Sequence, residues 1–331
     1  MKELVSIFLS AVIICGLLLI SACDRTEDVR KSDGKISVVT TIFPYYDFVR
    51  QLAGDKVDIR LLLSPGSDPH SYEPKPSDIT AIENCDIFIC NGGESDEWVD
   101  GVLSSIENKD VKVMKMMEYV PLRHEQSMDH DHEHDSHEDM DDDDEGHDHE
   151  EGEEYDEHVW TSMRNASVIC DAIAETLEEM DPENKEIYQT NAENYKAKLS
   201  TLDQKYQETV DTDRQNTLIF ADRFAFRYLV DDYGLNYYAA FSGCSAESEA
   251  SFKTVTFLAG KLDELRIKTV LTIEKSDDRI AQTVIENTKK KDQKILELNS
   301  MQSITSDEIK NGVTYLSVME DNLKVLKEAL K

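Results

Sequence analysis

Residues 182–211, PENKEIYQTNAENYKAKLSTLDQKYQETVD, run for 30 residues from Pro182 without a further proline and without a glycine. Proline is tolerated in a first helical turn, and the lack of either breaker beyond it predicts one uninterrupted helix. At 1.5 Å per residue that helix would reach about 45 Å, longer than one small domain. A rod of this length is expected to be a strut with a compact lobe at each end.

The flanks read alike. Before the rod come KISVVTTIFPYYDFVRQLAG, a strand, a turn at Pro44 and a helix ending at Gly54, then VDIRLLLSPG, a strand closed by Pro65-Gly66. PKPSDITAIENC is a helix with Ser77 as its N-cap, DIFICNGG a strand, SDEWVDGVLSSI a helix and KVMKMMEYV a strand. WTSMRNASVICDAIAETLEEMD is helical and leads into the rod. After it, TLIFA, LNYYAAF, KTVLTIE and KILELN read as strands, separated by helices at 252–265 and 279–290 and closed by GVTYLSVMEDNLKVLKEALK. Alternating strands and helices predict an α/β fold of two lobes, each a mostly parallel sheet wrapped by helices, joined by the long rigid helix. The expected boundaries are 36–180, 181–214 and 215–331. No sequence repeat accompanies the repeated architecture.

The first residues are a targeting segment. Lys2, the apolar run Leu4 to Ile20, and Ser21-Ala22 before Cys23 describe a secretory signal over 1–22. Ile20-Ser21-Ala22-Cys23 resembles a lipobox, so Cys23 is expected to carry lipid, with 23–35 as a polar tether. A plain transmembrane anchor is the alternative, but no basic stop-transfer cluster follows the run. The mature chain is thus placed outside the cytoplasmic membrane, lipid-anchored to it.

The net charge of −34 argues against nucleic acid as a partner. Residues 124–157 hold 19 of the acidic residues and no Lys or Arg, and within them lie His130, His132, His134, His137, His147 and His149. Imidazole and carboxylate are metal ligands, yet this run has almost nothing apolar to bury and its like charges repel. A site that must choose one ion needs a packed scaffold, so the rigid site is expected elsewhere. The run reads as a low-affinity collector that raises local metal concentration, or as an inert solvated insertion.

Cys85, Cys90, Cys170 and Cys244 form no Cys-x-x-Cys pair and do not read as a zinc knuckle. Cys85 and Cys90, five apart in one expected strand, would face opposite ways as buried thiols. A Cys170–Cys244 disulfide is left open by the oxidising compartment.

Open parallel sheets bind ligands beyond the carboxyl ends of their strands. His70 falls there, on a loop stiffened by Pro65, Pro69 and Pro74, and His158 stands where order resumes after the acidic run. Asp222 and Arg223 follow one C-terminal strand; Glu274, Asp277 and Asp278 follow another. Taken singly, each is equally a surface residue. His-Glu-x-x-His, Gly-x-Ser-x-Gly, Walker and Gly-x-Gly-x-x-Gly motifs are lacking, so a zinc-dependent hydrolase is poorly supported.

TIFPYYDFV, AGDKVDIRLLLSPGSDPHSYEPKPSDI, DIFICNGGESDEWVD, DEHVWTSMRNA and GVTYLSVMEDNLKVLKEAL together resemble the solute-binding lipoproteins of zinc and manganese ABC importers. The resemblance covers nearly the whole mature chain and implies two α/β lobes on a long helix, with His70 and His158 as metal ligands from the N-terminal lobe. It implies no enzyme but a monomeric receptor that captures metal, closes slightly and serves a permease and its ATPase. Surface adhesin is a label some members carry. DRFAFRYLVDDYGL aligns with a family segment that begins on a ligand histidine; counting back from Tyr233-Gly234-Leu235, that position is Arg223. A guanidinium has no lone pair for a cation, so Arg223 is expected in an ion pair with Glu274 or Asp222. Glu274 then matches the family's acidic ligand, with Asp278 the alternative match and a water or second carboxylate completing the set. Two imidazoles favour zinc over manganese, which prefers oxygen.

Overall fold

A computed structural model describes residues 34–125, 155–213, 215–243, 245 and 249–331. The signal segment, Cys23, Cys244 and the six histidines of the acidic run lie outside the described residues. Lys35–Lys331 forms one compact unit.

The N-terminal half builds β1 (Ile36–Thr40), α1 (Phe43–Ala53), β2 (Val57–Leu61), α2 (Pro76–Glu83), β3 (Ile87–Cys90), α3 (Trp98–Ser105) and β4 (Lys112–Lys115). Its four strands are parallel in the order β2-β1-β3-β4. After α4 (Met163–Met180) and α5 (Lys185–Thr212) come β5 (Thr217–Arg223), α6 (Arg227–Tyr233), β6 (Asn236–Phe241), α7 (Phe252–Leu265), β7 (Thr269–Thr272), α8 (Arg279–Glu286) and β8 (Lys294–Glu297). These strands are also parallel, in the equivalent order β6-β5-β7-β8. The chain closes with α9 (Ser306–Lys310) and α10 (Tyr315–Ala329).

Strand alternation decides which face goes where. Val38, Ile87, Ile89, Leu218, Phe220 and Leu271 point into one large central core, whereas Val39, Phe88, Ile219 and Val270 point outward into two smaller cores under the flanking helices. Both faces are covered, as parallel sheets require. The two parallel-sheet lobes and the joining helix are as expected, and one central core runs continuously between them. α5 joins them and spans about 42 Å, but Tyr188, Ala192, Tyr195, Leu199, Leu202 and Tyr206 recur every three or four residues and are buried in that core.

Three local readings are corrected. The cap of α2 is Lys75, before Pro76; Ser77 lies inside the helix, and the Asp78 carboxylate accepts from the Lys75 backbone N–H at 3.1 Å. Proline fits the first turn because its missing N–H would go unpaired there anyway. β3 begins at Ile87, so Cys85 lies before the strand and packs in the same cluster as Cys90. Cys170 is a free thiol buried on α4 in the central core, which removes the disulfide with Cys244.

Candidate metal site

β5 and β7 lie side by side where the chain crossings of the second sheet diverge, the point at which such sheets leave a crevice. Arg223 ends β5 and Glu274 follows β7 by two residues. Facing them is the loop after β2, in which Pro69–Ser71 makes a single tight turn capped by Asp68, whose Oδ1 accepts from the His70 N–H at 3.0 Å. Asp68, His70, Asp222, Arg223 and Glu274 line one cavity of about 610 Å³.

His158 stands behind His70, with no exposed surface. Its short approach is held from several sides. Tyr228 donates to the Asp156 carbonyl at 2.8 Å, Asn91 Nδ2 to the Glu157 carbonyl at 2.9 Å, and the Ser95 N–H to Glu157 Oε1 at 2.9 Å. Asp156 Oδ1 accepts from the His158 N–H at 2.8 Å and faces its Nδ1 at 3.1 Å. The carboxylate accepts only, so the ring proton sits on Nδ1 and the lone pair on Nε2. That Nε2 is buried, with no hydrogen-bond partner among the described residues. A buried lone pair left unpaired is costly unless something arrives to take it.

The rings of His70 and His158 are 5.5 Å apart between centroids and tilted by 56°. Two imidazoles sharing one tetrahedral zinc at about 2.1 Å per Zn–N bond would have centroids roughly 5 Å apart, so the pair fits a common ion. Gly243 packs against the Cε1–Nδ1 edge of His158, where a Cβ would come within 2.8 Å of His158 Cε1 and 2.7 Å of the Phe224 carbonyl.

The predicted C-terminal donors are disposed differently. Glu274 is buried and accepts from the Ser300 N–H at 2.7 Å, the Gln302 N–H at 2.9 Å, the Ser303 N–H at 3.2 Å and the Ser300 hydroxyl. Burial raises its pKa, and these donors oppose the rise. Asp222 Oδ1 accepts from the Arg223 N–H at 2.8 Å. Asp278 holds a left-handed backbone before α8 and accepts from the Thr272 hydroxyl at 3.2 Å, and it does not line the cavity. Arg223 is an ion-pair residue, but its partner at 2.8 Å is Asp68 of the opposite half instead of Glu274 or Asp222. Among the described residues no three His, Cys, Asp or Glu side chains converge tightly enough to hold an ion. Sequence reasoning missed Gln302, whose amide lies 3.5 Å from His70 Nε2; nothing in its local sequence marks it. The orienting Asp156 was in plain view, two residues before His158.

The electrostatics set a pH dependence. Burial, then the charge of His158, lowers the His70 pKa to about 4. Burial also works to lower that of His158, but the charge and hydrogen bond of Asp156 outweigh it and the net shift is upward from 6.5. A raised pKa means that the competing proton already binds His158 while the pH is above the usual 6.5 and stays bound below it, whereas His70 stays neutral to about pH 4. Metal affinity should therefore fall by about tenfold per pH unit, the slope for one proton, between roughly pH 6.5 and 5. Calorimetric titrations across that range would check it; an affinity unchanged from pH 7.5 to 5 would rule out histidine ligation.

The family model for zinc-uptake complex component A, periplasmic, matches residues 38–329. Zinc-binding lipoprotein AdcA of Streptococcus pneumoniae is 32% identical over 320 residues, which cover 95% of this chain and 59% of AdcA, so the chain spans about three fifths of that relative. High-affinity zinc uptake system protein ZnuA of Bacillus subtilis is 30% identical over 322 residues, 96% of each chain. The crystal structure of the Zn(II)-bound ZnuA-like domain of Streptococcus pneumoniae AdcA superposes with a TM-score of 0.71 at 30% identity, covering 90% of this chain and 99% of that one.

Proposed function

We propose that this chain, which belongs to the zinc-uptake complex component A family, captures zinc outside the cytoplasmic membrane and hands it to an ABC importer. The observation that carries the reading is the unpaired Nε2 of His158, fixed as a lone pair by Asp156 and facing His70. His70 and His158 supply two nitrogen donors. Glu274 supplies a third donor once one of its oxygens turns from the backbone of 300–303 into the shared cavity, and water fills the fourth position. Nitrogen donors favour zinc over manganese. Cys23 carries the lipid that keeps the receptor at the membrane, and the monomer presents its loaded form to a permease driven by its ATPase.

Zinc titration by calorimetry on soluble protein starting at Asp24 tests this, with and without residues 125–154. One tight equivalent should remain after the deletion, with only weak sites lost. Loss of tight binding together with the acidic run would sink the rigid-site reading.

A further inference from the structure

The loop that carries His70 is fastened to the opposite half of the molecule by the protein's own groups. The Gly66 N–H donates to the Ile304 carbonyl at 2.9 Å, Lys275 Nζ donates to the Gly66 carbonyl at 2.8 Å, and Arg223 Nη1 meets Asp68 Oδ2 at 2.8 Å. Gly66 has φ +89°, a conformation that favours glycine, and a Cβ there would stand 2.7 Å from Lys275 Nζ and push it aside. Lys275 itself is held at φ +63°, a left-handed conformation that costs a non-glycine residue about 1 kcal/mol. Such strain persists only where surrounding contacts hold it in place.

Asp68 is the joint of this fastening. Its Oδ2 receives Arg223, and its Oδ1 caps the turn by accepting from the His70 N–H. The pair is partly buried, with side chains 22% and 32% exposed, so it is screened less than a surface pair. Arg223 stands on the last residue of β5, where the sheet fixes its backbone against Phe241. This is also the position at which the resemblance places a ligand.

We infer that Arg223, acting through Asp68, is a positioning residue of metal capture: it holds His70 beside His158 before the ion arrives. It bridges the two halves by an ion pair where a ligand would bridge them by coordination. Metal then meets two imidazoles already in place, and its departure requires the Arg223–Asp68 pair to part. The inference rests on the metal-capture reading for its purpose but not for its test, because the fastening is made entirely of the protein's own groups.

Hydrogen exchange on the metal-free protein tests it, comparing the wild type with Arg223→Met, Asp68→Asn, the double variant and Arg223→Lys. Asparagine at 68 retains one oxygen to cap the turn and replaces the other, the Arg223 acceptor, by an NH2 that only donates. Each single change should speed exchange of the Gly66 and His70 amides about tenfold, with the β3 amides unchanged as a control for folding. The double variant should be no faster than either single one, since residues acting as one unit are not additive. Arg223→Lys should recover part of the protection. Zinc dissociation from the loaded protein should quicken in the same order. Unchanged exchange at Gly66 and His70 in both single variants, or additive effects in the double, would overturn the inference. Failure of zinc to bind at all, with exchange altered as expected, would instead refute zinc capture and leave the fastening standing.

Discussion

Alanine at both His70 and His158 should abolish the tight zinc equivalent, weakening binding by at least about a thousandfold. Partners that merely orient a ligand cost 10–100-fold when removed, and here both nitrogen donors would go. Glu274 cannot compensate, since one carboxylate does not replace two nitrogen donors. Binding to the acidic run should persist as weak, multiple equivalents in the same titration. Losing the fully buried His158 ring, which packs edge-on against Trp160 of the central core at 5.3 Å, should cost stability but leave the fold in place; a circular dichroism melt on the variant would verify that. Tight binding that survives in the double variant would show that the ion is held elsewhere.

Asp47→Ala should destabilise the protein by about 3–5 kcal/mol, the range for breaking a buried ion pair from one side. Asp47 lies on α1 and has no exposed surface. One oxygen accepts from the Tyr315 N–H at 2.7 Å, where α10 begins. The other accepts from Arg50 Nε at 2.9 Å, Arg50 Nη2 at 2.6 Å and Gln51 at 3.1 Å. Truncation leaves the Tyr315 N–H without its acceptor and takes the carboxylate from the partly buried Arg50, which keeps only the Val313 carbonyl. Denaturant unfolding would measure the loss, with Asp47→Asn expected to lose less because one acceptor remains. A change below about 1 kcal/mol for the alanine variant would mean that water replaces the carboxylate at little cost.

Much of this architecture is legible in the sequence because it depends on local rules. Strand and helix periods, the breaker-free run that becomes α5, and the placing of His70 after a strand all follow from nearest neighbours along the chain. The shared core does not, since strands buried on both faces are apolar throughout and carry no mark of which face meets which layer. Arg223 illustrates the same limit at the site. Its chemistry excludes ligation from sequence alone, yet its partner Asp68 is 155 residues away and is selected by how the two halves meet. Glu274 reads as a free acid after a strand; only the fold shows the Ser300–Ser303 backbone wrapped around it.

The central core also governs the order in which the molecule can be completed. Its first helix and its last pack together: Phe48 of α1 and Tyr315 of α10 have ring centroids 4.9 Å apart. Tyr315 also donates to the Trp160 carbonyl at 2.8 Å, and Tyr206 to the Met319 carbonyl at 2.7 Å. A chain emerging from synthesis presents α1 long before α10 exists. Until that last helix arrives, Phe48 and its neighbours lack their cover, and contacts of such long sequence separation form slowly. A nascent chain of this protein thus needs shielding from aggregation and proteolysis until α10 has followed. A fragment ending before α10 would remain in that exposed condition.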